Sequence, residues 1–125
     1  MERLSTEPAA LPPIGVEYLQ PDLACVTLRG EHDLNSKEAI LAAFATAGDA
    51  KRVLVDLSDC TFIDSTVIAT LVFGSKDAER RGAVLAIVLP PQATSIRRIT
   101  TITQLDTVVP IHDSSASAIA SFSEA

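Results

Sequence analysis

The sequence has little of what several classes of protein depend on. Tryptophan is absent, aromatic residues make up 4% of the chain, and there are two cysteines, Cys25 and Cys60. Two cysteines are too few for a disulfide scaffold, so we expect buried free thiols in a reducing compartment. No apolar run reaches the roughly 18 residues that a membrane-spanning helix needs, so membrane insertion is not expected.

The chain also lacks an excess of basic residues. Its formal net charge is −6 at pH 7, which argues against direct binding to nucleic acid or to anionic membranes. The first segment, "MERLSTEPAALPP", has no apolar core of the kind that a signal peptide needs. We therefore expect a cytoplasmic protein.

What the sequence does contain is enough apolar material for one core. Hydrophobic residues make up 47% of the 125 residues, a length and composition typical of one globular domain. Residues 1–13 hold three prolines and show no periodicity, which predicts a flexible N-terminal tail. The domain is therefore predicted over residues 14–125.

The first apolar segments predict a β-hairpin. "IGVEYL" alternates apolar and polar residues, and "LACVTLR" follows it after the turn residues "QPD", as in two antiparallel strands. A helix is predicted next, within "NSKEAILAAFATAG". Asn35 and Glu38 have the spacing of a capping box and are predicted to begin it.

The central part of the chain predicts a β-α-β unit. "RVLVDL" and "AVLAIVL" are short runs that are apolar on both faces, as in a sheet covered by helices. The segment between them has helical spacing and ends with Arg80 and Arg81 before Gly82, which favours a helix terminus there. The two strands are therefore predicted to be parallel.

The last third of the chain carries shorter signals. A short helix is predicted after Pro90 and Pro91, and "TVVPI" is predicted as an edge strand because it contains Pro110. "DSSASAIASF" is predicted to be a final helix that Asp113 or Ser114 caps. The complete order, β-β-α-β-α-β-α-β-α, predicts an α/β fold with a mixed central sheet of about five strands and helices mainly on one face.

Three small polar residues, Asp64, Ser65 and Thr66, stand between an apolar run and the second predicted helix. One interpretation is structural, because Asp and Ser side chains accept the unpaired N–H groups of a first helical turn. The other is functional, because a helix N-terminus tolerates added negative charge. A phosphoryl group on Ser65 would add about −1.5 to −2 charges there.

Two motifs resemble the STAS domain, named for sulfate transporters and anti-sigma factor antagonists. "VLVDLSDCTFIDSTVIATLV" resembles the signature of the stand-alone antagonists, and "LRGEHDL" resembles the turn that follows their second strand. The sequence departs from the family pattern where Val67-Ile68 replaces Gly-Leu and where His32 replaces an apolar residue. The β-branched Val67 would be expected to narrow access to the serine hydroxyl.

The resemblance implies a regulator without cofactors rather than an enzyme. It implies that Ser65, or alternatively Thr66, is phosphorylated by a partner that is both serine kinase and anti-sigma factor. It also implies that the unphosphorylated form binds this partner and frees the sigma factor, while a phosphatase resets the switch. Asp33, Asp64, Ser65 and Thr66 would form the partner-binding surface. The alternative is an unphosphorylated scaffold subunit of a stress-signalling or transporter complex.

Other classes fit the sequence less well. "VLVDLSD" resembles the phospho-accepting strand of a receiver domain, but "EYLQPD" and "VVPIHD" lack the acidic pair and the lysine that receivers need. A serine hydrolase would need a base near Ser65, and only His32 and His112 are available. The Gly-x-Ser-x-Gly elbow is absent. No His or Cys pair has metal-ligand spacing, and no glycine-rich phosphate loop is present.

Overall fold

A computed structural model describes residues 11–123 of the chain. In that range, seven strands and five α-helices alternate along most of the sequence, with one short 3-10 helix among them. In chain order they are β1 (Ile14–Gln20), β2 (Leu23–Leu28), β3 (Gly30–His32), the 3-10 helix (Leu34–Ser36), α1 (Lys37–Thr46), β4 (Arg52–Asp56), β5 (Cys60–Ile63), α2 (Ser65–Arg80), β6 (Val84–Val88), α3 (Thr94–Ile102), α4 (Leu105–Val108), β7 (Ile111–His112) and α5 (Ser115–Phe122).

The central sheet has five strands in the order β1-β2-β4-β6-β7. β1 and β2 form the predicted antiparallel hairpin, and every other neighbouring pair in this sheet is parallel. The β4–β6 pair is the predicted β-α-β unit, with α2 as its crossover helix. The mixed sheet and the hairpin at one edge are therefore confirmed.

The two faces of this sheet carry two apolar clusters of different size. Alternate residues of each central strand point to opposite faces: Val53 and Val55 of β4 join the larger cluster, and Leu54 joins the smaller one. Side chains of α1, α2, α3 and α4 pack into the larger cluster, whereas α5 covers the smaller one through Ala118. Helices therefore lie mainly on one face, as predicted.

A second, two-stranded sheet was not predicted. β3 and β5 pair in parallel beside the main sheet. With three and four residues, they are too short to show periodicity in the sequence. This small sheet lies at the point where the two quoted motifs meet, so it bears directly on the candidate site.

Several predicted boundaries were wrong. The Asn35–Glu38 capping box does not form, because α1 begins at Lys37 and Asp33 instead caps the preceding 3-10 helix. The "TVVPI" strand is reduced to Ile111–His112, since α4 occupies the residues before it. Of the two caps considered for the last helix, Ser114 is the one that accepts a backbone N–H.

The predicted N-terminal tail falls mostly on residues 1–10, which lie outside the described residues. At its end, the backbone carbonyls of Pro12 and Pro13 accept hydrogen bonds from the side chain and the backbone N–H of Arg29, at 2.9 and 2.7 Å. These bonds place the residues just before β1 against the end of β2.

Both thiols are in environments that suppress ionisation. Cys25 is partly buried and Cys60 is buried, and both are free. Burial raises the pKa of each thiol above its ordinary value. Because the thiolate is the reactive form, the pKa shift favours inert structural cysteines at both positions.

The α1–α2 contact depends on the absence of a side chain at Gly74. A Cβ atom built there would lie 2.6, 2.9 and 3.0 Å from three ring carbons of Phe44. We expect Gly74→Ala to destabilise the protein by about 1 kcal/mol, since crowding at the ring outweighs the gain in helix propensity. The measurement is the free energy of unfolding in urea.

The effect of Gly74→Ala on stability should change sign when the Phe44 ring is removed. In a Phe44→Ala background the three closest contacts of that Cβ atom are gone, so Gly74→Ala should stabilise by up to about 1 kcal/mol through helix propensity. A stabilising effect in the parent protein would show that the ring moves aside freely.

Candidate functional site

The small β3–β5 sheet brings the two sequence motifs together. In its register Glu31 lies beside Phe62 and His32 lies beside Ile63. His32 and Ile63 are buried, while Glu31 and Phe62 face solvent. Each strand is followed directly by an aspartate, so the pairing directs Asp33 and Asp64 to the same end of the small sheet.

Asp64 joins two elements through its two carboxylate oxygens. Oδ1 accepts the backbone N–H of Val67 at 3.0 Å, which caps α2. Oδ2 accepts the backbone N–H of Leu34, in the 3-10 helix, at 3.1 Å. The structural interpretation therefore holds for Asp64, whose carboxylate holds the start of α2 against the 3-10 helix.

Ser65 is the first residue of α2, and its side chain is exposed. The capping bond comes from Asp64, and within residues 11–123 the Ser65 hydroxyl makes no hydrogen bond of its own. Thr66 is half-buried instead. Of the two hydroxyls, that of Ser65 is therefore the more open to a reagent.

The departure from the family pattern at residues 67 and 68 does not cover this hydroxyl. Val67 and Ile68 are both buried and belong to the larger apolar cluster. Their side chains point into the core, whereas Ser65 faces solvent. The expectation that Val67 narrows access to Ser65 was wrong, because the branched carbon lies on the other side of the helix.

Asp33 lies at the exposed side of the site. Its Oδ1 accepts the backbone N–H of Asn35 at 2.9 Å, which caps the 3-10 helix. Its side chain remains exposed. Asp33, Asp64, Ser65 and Thr66 are thus brought to one region by the β3–β5 pairing and by the Asp64–Leu34 bond.

His32 is buried, with only 2% of its surface exposed. Its Nε2 lies 2.9 Å from the carbonyl oxygen of Arg29 and 3.2 Å from that of Pro13, so Nε2 must donate. Nδ1 lies 2.9 Å from the hydroxyl oxygen of Ser36. His32 thereby stabilises the segment around the site. Its burial could not be predicted from the sequence, because the neighbouring residues do not distinguish a buried histidine from an exposed one.

The arrangement of histidines does not support hydrolase chemistry at Ser65. Both ring nitrogens of His32 are engaged elsewhere, and Nδ1 of His112 lies 3.1 Å from the hydroxyl of Ser117. A general base must lie within hydrogen-bond reach of its nucleophile. Within the described part of the chain, neither histidine forms such a bond with Ser65.

The receiver-like aspartate at the end of β4 is also engaged locally. Oδ1 of Asp56 accepts the backbone N–H of Ser58 at 2.9 Å and its hydroxyl at 2.6 Å. These bonds are those of a simple turn. Asp56 therefore has a structural role after β4.

A groove between α1 and α2 opens beside Thr66, and sequence reasoning missed it. Its volume is about 320 Å³. Phe73 lines it with 53% of its surface exposed, and an aromatic residue on the solvent side of α2 could have signalled the groove. The groove is lined by Lys37, Leu41, Thr66, Ala69, Thr70 and Phe73, and we call these residues the α1–α2 groove.

Residues 11–123 lack two kinds of feature. No three side chains of His, Cys, Asp or Glu are grouped closely enough to hold a metal ion. Among the described helices, none combines the length and the apolar character needed to cross a bilayer.

The fold and site define an α/β domain that presents an exposed hydroxyl at a capped helix start, beside an unpredicted apolar groove. A sequence model described as "Mlab, STAS domain" matches residues 19–110. The chain therefore belongs to the STAS domain family.

Solved structures share this fold at low sequence identity. The phosphorylated form of the Bacillus cell fate determinant SpoIIAA matches with a TM-score of 0.66 at 18% identity, covering 87% of this chain and 98% of that one. The anti-sigma factor antagonist SpoIIAA in its unphosphorylated form matches with 0.64 at 16% identity, covering 89% and 97%. An anti-sigma factor antagonist from Mycobacterium paratuberculosis matches with 0.71 at 23% identity, covering 86% and 91%.

Proposed function

We propose that this STAS domain is a phosphorylation-controlled binding protein of the anti-sigma factor antagonist type. Its unphosphorylated form would bind a partner that is both anti-sigma factor and serine kinase, and this binding would release a sigma factor. A phosphatase that removes the phosphate from serine would restore the binding form. The observation that carries the proposal is the exposed hydroxyl of Ser65, which forms no hydrogen bond within residues 11–123 and stands at the start of a helix already capped by Asp64.

The geometry suits a charge switch that leaves the fold intact. A phosphoryl group on Ser65 would bring about −1.5 to −2 charges at neutral pH. The positive end of the α2 dipole favours negative charge at this position. Because Asp64 supplies the cap, the modified side chain would displace no hydrogen bond among the described residues, and a partner would read the charge directly.

The proposed partner-binding surface consists of Asp33, Asp64, Ser65 and Thr66. Support comes from the β3–β5 register and from the bond between Asp64 and the backbone of Leu34. Relatives of the same fold include SpoIIAA in phosphorylated and unphosphorylated forms. Those forms show that the fold accommodates such a modification in SpoIIAA, and we propose the same for this chain.

Ser65, rather than Thr66, is expected to accept the phosphate. Its hydroxyl is exposed and unbranched, whereas Thr66 is half-buried and β-branched. The test is mass spectrometry after incubation with ATP and each ATPase-type serine kinase encoded in the same genome. Thr66→Ala should be phosphorylated like the parent, and Ser65→Ala should lose the modification. Phosphate found on Thr66 alone would contradict the assignment.

A second candidate is an unphosphorylated scaffold subunit of a stress-signalling or transporter complex. We retain this candidate because the sequence model that matches residues 19–110 is described as "Mlab, STAS domain" and not as an anti-sigma factor antagonist. A stable complex whose affinity is the same for the parent and for a Ser65-phosphorylated chain would favour it. In both cases we propose a cytoplasmic binding protein without catalytic activity.

A further inference from the structure

The α1–α2 groove is an exposed apolar surface next to the proposed phosphorylation site. Thr66 lines it, and Ser65 precedes Thr66 on the same helical turn. Ala69, Leu41 and Phe73 supply its apolar lining. A half-exposed phenylalanine beside other apolar atoms is typical of a contact surface rather than of the core.

Lys37 is the one charged side chain among the residues that line this groove. The net charge is −6, yet Lys37 lines the groove and Lys76 follows Phe73 by one helical turn. Within residues 11–123 neither lysine forms an ion pair, whereas the nearby Asp77 is paired with Arg80 at 2.7 Å. Glu38 is turned away from Lys37 by about 100° around α1.

We propose that the α1–α2 groove binds an acidic amphipathic helix of the partner. An apolar side chain of that helix would sit against Leu41, Ala69 and Phe73, and its carboxylates would face Lys37 and Lys76. The α1–α2 groove has a volume of about 320 Å³. It suits the mode of recognition in which a helix binds in a groove and its apolar residues at i, i+3 and i+4 act as anchors. The proposal rests on the proposed function, since it concerns the partner that Ser65 controls.

An acidic partner also explains why phosphorylation of Ser65 would weaken binding rather than strengthen it. An acidic partner is repelled by a dianion placed at the end of the groove, and the same dianion neutralises the attraction of Lys37. A basic partner would instead be drawn to the phosphorylated form. The groove therefore connects the position of Ser65 with loss of binding on phosphorylation.

The test compares affinities by calorimetric titration against the kinase that phosphorylates the chain. Phe73→Ala should weaken binding at least about tenfold, as for an aromatic anchor in an interface. Lys76→Glu should weaken it by a similar factor, with a larger effect at low salt. Matched controls on α3, Ile102→Ala and Arg98→Glu, should bind like the parent, because both residues are exposed and lie outside the groove.

The outcomes separate this proposal from the proposed function. Parent-like binding by Phe73→Ala, together with lost binding by Ser65→Asp, would refute the groove and leave the switch intact. Tighter binding by Lys76→Glu would show a basic partner and overturn the acidic helix. Parent-like binding by Ser65→Asp would refute the switch. If no kinase from the genome binds the parent, both proposals fail.

Discussion

Ser65→Asp should lose partner binding while folding as well as the parent. The carboxylate would stand at the first residue of α2, where the helix dipole favours negative charge by about 0.3–1 kcal/mol. In the complex the same charge would be buried without a partner, which costs several kcal/mol. We expect the affinity for the kinase to fall about 100-fold or more, equivalent to about 2.7 kcal/mol.

The measurement is a binding titration beside a thermal melt of the same samples. Ser65→Asn is the matched control, because it has nearly the same shape without the charge and should retain most of the affinity. If Ser65→Asp and the parent bind equally well, a phosphoserine switch at this position is ruled out. Equal losses for the Asp and Asn variants would indicate a steric effect instead.

Ser65→Ala helps to separate the structural and functional interpretations of the site. Since Asp64 supplies the cap and the serine hydroxyl forms no hydrogen bond with the part of the chain that the structure describes, the variant should stay within about 0.5 kcal/mol of the parent. It should bind the partner permanently because it cannot be phosphorylated. The capping interpretation thus applies to Asp64, and the phospho-acceptor interpretation remains a proposal for Ser65.

Much of the fold could be predicted because its long elements obey strong local rules. The hairpin alternates with period two, and "RVLVDL" and "AVLAIVL" are apolar on both faces because helices cover both sides of the sheet there. Helix α2 combines an Asp cap with a Gly82 terminus, whose φ of +76° suits glycine. Each of these signals comes from neighbouring residues.

The parts that could not be predicted depend on contacts between distant segments. Strands β3 and β5 are defined by pairing with each other, and nothing within either run sets its length. The N-cap of α1 is Ser36 rather than the predicted Asn35, because Asn35 lies within the 3-10 helix that Asp33 caps. The α1–α2 groove is formed by residues of two helices that are distant in sequence, so Phe73 alone could not predict it.

The contributions of Asp33 and Asp64 to stability could not be predicted from the sequence either. Both follow a short strand and both resemble caps in the sequence. Asp33 accepts one backbone N–H, two residues away, whereas Asp64 accepts two, one of them 30 residues away. The tertiary structure therefore predicts that Asp64 contributes more than Asp33 to the free energy of unfolding.

Asp64→Ala should be among the most destabilising single changes at this site. It removes the cap of α2, worth about 1 kcal/mol, and leaves the backbone N–H of Leu34 without its acceptor, worth about 1 kcal/mol more. We expect a loss of about 2 kcal/mol in the free energy of unfolding. Asp33→Ala, which removes one exposed bond, should cost about half as much.

Asp64→Asn tests whether both carboxylate oxygens are needed. Its amide keeps one acceptor oxygen but turns an NH₂ group toward the second N–H, so its stability should fall between those of the parent and Asp64→Ala. Hydrogen exchange gives the site-specific measurement: the amides of Val67 and Leu34 should both exchange faster in Asp64→Ala, whereas Asp33→Ala should leave Val67 protected. If only Val67 loses protection in Asp64→Ala, the carboxylate merely caps α2. If both lose it, Asp64 holds the 3-10 helix in place, and part of any loss of partner binding in Asp64→Ala would come from a displaced surface rather than a missing contact.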